Sequence, residues 1–122
     1  PSFETKGLKT NCFLKRNSSN EVLISNSKKK LKDLVPGSII GTSSFRREFQ
    51  LRNIRKDLNF KLIRGNIDTR IKKLKNGEYD AIILSKAGLI SLEMDHEITE
   101  EFTNSDIIPS AGQGTIAVQC RR

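Results

Sequence analysis

The chain has 122 residues, 35% of them hydrophobic and 30% charged, with a formal net charge of +8. That length and composition suit one soluble α/β-sized domain and exclude a disordered tail; no apolar run approaches a membrane span. Two cysteines far apart, one histidine and no CxxC spacing leave no basis for a metal centre or a thiol nucleophile. The excess charge is uneven: residues 41–76 hold eleven Lys/Arg against three acids, whereas residues 77–122 are net acidic. A field of that sign draws acidic ligands to the middle of the chain.

The first elements in chain order are a strand over residues 8–15 and a short one at Val22-Leu23-Ile24. A helical turn within Lys29–Leu34 follows, stopped by Val35-Pro36-Gly37. Ser38 to Gly41 is apolar and reads as a buried strand. Phe45 to Leu58 has helical spacing, with Leu51, Ile54 and Leu58 on one face and Phe45 and Phe49 on another. That predicts a helix covered on two sides. Phe60 to Ile63 is the next strand. Ile67, Ile71 and Leu74 mark a short helix that begins at the N-cap candidate Asn66 and ends at Asn76-Gly77. Tyr79 to Leu84 reads as a buried strand followed by helix to about Met94, and the tail returns through Ile98–Phe102 and Gly114–Cys120. Cys12 and Cys120 are expected to be buried, reduced thiols, and His96 a surface residue in an acidic loop.

Strands alternating with helices predict an α/β fold, a mainly parallel sheet with helices on both faces. Ligands in such folds sit at the carboxyl ends of the strands. Two strand-to-helix junctions fall there, Gly41-Thr42-Ser43-Ser44-Phe45-Arg46-Arg47 and Arg64-Gly65-Asn66-Ile67-Asp68-Thr69-Arg70. Each combines glycine, small polar residues and two arginines. A helix N-terminus offers unpaired N–H groups, and guanidinium forks add bidentate recognition of carboxylate or phosphate. Arginine in a first helical turn opposes the helix dipole, so Arg46-Arg47 reads as a cost accepted for binding. Glycine followed by serine is otherwise an ordinary tight turn with an N-cap, and Arg70 can equally be a surface helix residue. Arg52, Arg55, Lys56, Lys72, Lys73 and Lys75 read as solvated faces. Gly112-Gln113-Gly114 is either a close backbone approach to a ligand or a plain loop.

These motifs, with Gly-Glu-Tyr-Asp-Ala-Ile-Ile-Leu at 77–84, Ala-Gly-Leu at 87–89 and Pro-Ser-Ala-Gly-Gln-Gly-Thr at 109–115, resemble the hydroxymethylbilane synthase (porphobilinogen deaminase) family in order and spacing. The resemblance implies one lobe of a type II periplasmic-binding-protein fold. Its division would be 1–19 as a hinge segment, 20–108 as the second of three domains, and 109–122 as hinge and return strand. It implies an enzyme that joins four porphobilinogen units into hydroxymethylbilane, releasing ammonia, on a dipyrromethane cofactor held by a cysteine of the third domain. The implied cofactor-binding residues are Thr42, Ser43, Ser44, Arg46, Arg47, Arg64, Gly65, Asn66, Arg70 and Gln113, with Arg64, Arg70 and Lys86 toward substrate. No catalytic residue and no metal ligand is implied within 1–122, because the family's aspartate would precede Pro1; the fragment alone is expected to be inactive. Partners would be porphobilinogen, oligopyrrole intermediates and domains 1 and 3 of a monomeric cytoplasmic parent, with neither nucleic acid nor membrane.

The family's usual Lys-Arg after Ala-Gly-Leu is Ile90-Ser91 here, and Lys86 is the candidate to replace the lost charge. From the residues alone, a stand-alone anion- or solute-binding module is the alternative. A nucleic-acid-binding domain ranks behind both.

Overall fold

In a computed structural model, residues 8–13, 19–103, 106–107 and 117–121 are described, the first and last of these segments as backbone only. The strands are β1 (Leu8–Phe13), β2 (Glu21–Ser25), β3 (Ile39–Gly41), β4 (Asn59–Lys61), β5 (Ala81–Ser85), β6 (Glu100–Phe102) and β7 (Ala117–Arg121). The α-helices are α1 (Phe45–Ile54), α2 (Ile67–Lys75) and α3 (Lys86–Ser91). Short 3-10 turns occupy Leu31–Asp33 and Asp95–Glu97. The main sheet runs in the order β4-β3-β5-β2-β6, and β1 pairs with β7 in a separate antiparallel ribbon.

Within the five-stranded sheet β3 is parallel to both neighbours, β4 and β5, while β2 is antiparallel to β5 and β6. Four strands therefore point one way and β2 alone runs back, so the sheet is mixed: two of its four pairings are parallel and two antiparallel. The β5 run is apolar without alternation because both of its faces are buried. Ala81 and Ile83 join Leu23, Ile40, Leu51 and Leu58 on the α1 side. Ile82 and Leu84 join Val22, Ile24, Ile71, Leu74 and Leu89 on the α2 and α3 side. α1 leads from β3 to the edge strand β4, and α2 leads back across β3 to β5 on the opposite face. The connections diverge at β3, which opens a crevice at the carboxyl ends of β3 and β4.

Four expectations need correction. α1 stops at Ile54, not Leu58, because Arg55 turns to extended backbone (φ −137°, ψ 99°) and its guanidinium donates to the carbonyls of Leu31 (2.8 Å) and Leu34 (3.0 Å). Arg55 also pairs with Asp57, which holds that carboxyl below the usual range; it is not merely a solvated cation. α1 is covered on one side only: Leu51 is fully buried, but Phe45 and Phe49 are 87% and 68% exposed and Ile54 is half-exposed. α3 ends at Ser91, short of Met94. His96 is at the surface as expected. Cys12 and Cys120 lie in β1 and β7, and their side chains fall outside the described residues.

No helix among the described residues is long and apolar enough to cross a membrane.

Candidate functional site

Both junctions open at one edge of the sheet because β3 and β4 are adjacent and parallel, with Gly41 opposite Lys61. Ser44 caps α1, its Oγ accepting from the Arg47 N–H at 3.2 Å, and Asn66 caps α2, accepting from the Thr69 N–H at 3.3 Å. Thr42 is buried and its hydroxyl accepts the Ser44 N–H at 3.2 Å, which closes the first turn on itself. Ser43 stays exposed between them. A Cβ on Gly41 would lie 2.8 Å from the Tyr79 ring, so glycine is what lets the aromatic ring slide under the first turn. Gly65 has φ +105°, the region glycine tolerates and other residues do not, and a Cβ there would meet Thr69 at 2.8 Å.

Two side chains tie the turns together. Arg70 donates through Nε to the Gly65 carbonyl (2.8 Å) and through a terminal nitrogen to Ser43 Oγ (3.2 Å). The Tyr79 hydroxyl donates to the Leu62 carbonyl at 2.6 Å, just before the second turn. Burial pushes the Tyr79 phenol pKa up, with the Glu78 charge adding to it, so the hydroxyl stays a donor. Lys61 places its ammonium 5.1 Å from the centre of the same ring. Replacing Tyr79 by Phe is expected to remove only the hydroxyl bond, costing about 1 kcal/mol in a denaturant melt; an unchanged midpoint would deny the hydroxyl its tethering role.

Between the turns lies a cavity of about 350 Å³, walled by Ser43, Ser44, Phe45, Phe60, Lys61 and Arg64 among others. The Arg64 guanidinium makes no ion pair or hydrogen bond among the described residues and lines this space. The cavity thus combines the exposed cations Lys61 and Arg64 and small hydroxyls with two aromatic rings, while the Glu48 carboxylate in the same wall is paired with Arg52 at 3.2 Å; the lining suits an anionic, partly apolar ligand.

The arginines of the first turn are placed differently. Arg46 and Arg47 both converge on Glu21, a carboxylate with no exposed surface at the start of β2. The Arg46 terminal nitrogen is 2.9 Å from one oxygen, and Arg47 Nε is 2.9 Å from the other. That second contact is close but not aligned as a hydrogen bond. Arg47 also reaches the Ile83 carbonyl at 3.4 Å. Burial pulls the Arg47 pKa down and the Glu21 charge opposes it. An arginine remains a cation under such conditions.

Sequence reasoning missed Glu21, Phe60 and Lys61. Lys61 had a faint signal, a charge inside an otherwise apolar strand run, but Glu21 had none. Lys86 stands at the start of α3 with its ammonium 2.8 Å from Glu101 Oε1, and it is not part of the cavity wall. Ser91 is exposed and bonds back to the Ala87 carbonyl. Gln113 lies outside the described residues. Among the described residues, no group of three or more His, Cys, Asp or Glu side chains could hold a metal ion.

This mixed-sheet α/β lobe, with its cationic crevice at the strand ends, has the fold of a binding-protein lobe. Solved structures share that fold. One is a Salmonella typhimurium periplasmic binding protein of high arginine specificity (TM-score 0.57, 17% identity, 81% of this chain and 46% of that one). Another is a Bacillus subtilis lipoprotein described as methionine-binding (TM-score 0.58, 17% identity, 95% of this chain and 55% of that one).

The family follows from the sequence: residues 1–122 match the family model described as porphobilinogen deaminase, dipyromethane cofactor binding domain, and the chain belongs to that family. Porphobilinogen deaminases from Geobacillus kaustophilus and Thermus thermophilus are 44% and 41% identical, each over 99% of this chain and 40% of the relative. One from Bacillus thuringiensis is 47% identical over the same shares. The chain therefore spans about 40% of the length of these relatives. The lining fits the cofactor that the family model names in its chemistry: Arg64, Lys61 and the Ser43 hydroxyl are groups that can hold carboxylates, and Phe45 and Phe60 offer aromatic surface.

Proposed function

We propose that this chain is the carboxylate-gripping lobe of a hydroxymethylbilane synthase. Such an enzyme polymerises four porphobilinogen units into a linear tetrapyrrole with release of ammonia, here in cytoplasmic tetrapyrrole biosynthesis. Residues 20–108 would form the lobe, with 1–19 and 109–122 as hinge segments. When bound, dipyrromethane supplies the covalently held primer that the growing chain extends. Each pyrrole of that chain carries an acetate and a propionate, so the ligand is a polycarboxylate.

The observation that carries this reading is the convergence of both turns on one cavity whose Arg64 guanidinium has no partner among the described residues. Arg64 grips a carboxylate from the second turn. The Arg46 and Arg47 pair presents positive charge from the first turn, beside the cavity rather than in its wall; Thr42, Ser43 and Ser44 line the space, and Gly65 and Asn66 shape the second turn next to it. Arg70 holds the turns in register, and its guanidinium lies at the same edge. With Lys86 committed to Glu101, it adds little here. The lobe holds and orients; the proton-handling aspartate and the cofactor cysteine of the family pattern have no counterpart among residues 1–122.

The test is steady-state turnover of porphobilinogen by the full-length protein. Arg64→Ala loses a charge-assisted contact of about 1.5–3 kcal/mol, so KM should rise at least about tenfold with a smaller change in kcat. An unchanged KM would remove Arg64 from the ligand site.

A further inference from the structure

We infer that Glu21 is the positioning residue of the first anion receptor: its buried carboxylate fixes the direction of both guanidinium groups. This rests on the reading of the crevice as a carboxylate site. Arg46 and Arg47 are neighbours in the first turn of α1, where the helix dipole and each other's charge both act against them. In the absence of a counter-charge, two such side chains would extend into water and lose any fixed direction. Glu21 comes from another part of the fold, the strand that runs antiparallel to β5, where Glu21 is registered opposite Ser85 at the ligand edge of the sheet.

The carboxylate has no exposed surface, while the Arg46 and Arg47 side chains are 29% and 13% exposed. Glu21 therefore takes the inward edges of the guanidinium groups, and what surface remains accessible faces outward. The opposite turn, where Arg64 has no partner among the described residues, supplies an independent second contact. A buried ion pair is poor evidence for stability, since well-packed apolar residues often serve as well. Its value here is direction. Glu21 touches neither ligand nor reacting atoms, and it acts through the arginines.

The experiment uses the full-length protein with Glu21→Gln and Glu21→Asp, read by two measurements. Solvent exchange of the Arg47 Nε–H, followed by NMR, should be slow in the native protein. It should be at least tenfold faster in Glu21→Gln and intermediate in Glu21→Asp, which keeps the charge on a shorter stem. KM for porphobilinogen should rise about tenfold in Glu21→Gln with kcat within about threefold, and Glu21→Asp should recover part of the loss. If Glu21→Gln does not fold, Glu21→Asp alone decides, with severalfold changes expected in both readouts.

Native exchange and native KM in a folded variant would overturn the assignment. If the native protein does not turn over porphobilinogen, the proposed function fails, and the exchange measurement still decides the role of Glu21.

Discussion

Arg47→Ala is expected to lower the unfolding free energy by about 3–5 kcal/mol, a loss comparable to much of a small domain's stability. The reason is the partner left behind. Glu21 has no exposed surface, and Arg47 is the more deeply buried of the two cations that neutralise it. Removing Arg47 leaves that carboxylate with Arg46 alone, and it opens space beside the Ile83 carbonyl that Arg47 reaches. The cost therefore arises from a buried, under-compensated charge. Removing the charge as well should recover much of it: Glu21→Leu combined with Arg47→Leu should be less destabilised than Arg47→Ala. Chemical denaturation of the native protein, Arg47→Ala, the single variants Glu21→Leu and Arg47→Leu, and the double variant checks this. A double variant that loses as much as the sum of the single losses would mean that the residues are not coupled.

Gly41→Ala is expected to cost about 1–3 kcal/mol, because one methyl group enters a packed place. The new Cβ would lie 2.8 Å from Tyr79 Cδ1 and 3.1 Å from Ile82 Cγ2. Neither neighbour is the loose end of a flexible chain: Tyr79 is buried and tethered to Leu62, and Ile82 has no exposed surface. Displacing the ring also pulls on the Leu62 carbonyl and so on the second turn. The effect should therefore appear in ligand binding as well as in melting temperature. A variant with native melting temperature and native KM would show that the turn can shift without consequence.

The sequence exposes whatever is written locally. Ser44 and Asn66 are helix caps because a short side-chain acceptor precedes each helix, and the structure keeps both. Ala81–Leu84 reads as doubly covered because it is apolar at every position, and the two cores meet it from both faces. The turns are legible because glycine and arginine at a strand end are unusual on stability grounds. What escapes is long-range pairing. Glu21 precedes Arg46 by 25 residues and looks like an ordinary acid before an apolar strand. Only the reversed direction of β2 brings it beneath the arginines. Arg55 likewise looks solvated until the loop around Leu31–Leu34 folds back over it. The Phe45 and Phe49 stripe is correct as a pattern, but nothing in periodicity distinguishes a face covered within this chain from one left open.

If the two turns hold the carboxylates of one dipyrromethane, loading of that cofactor depends on both. Intact mass of the full-length protein after exposure to porphobilinogen measures the loading, comparing the native protein with an Arg46→Ala, Arg64→Ala variant whose fold is verified by circular dichroism. The native protein should gain two linked pyrroles, and the variant should stay largely at the apo mass. Equal loading in both proteins would contradict that dependence.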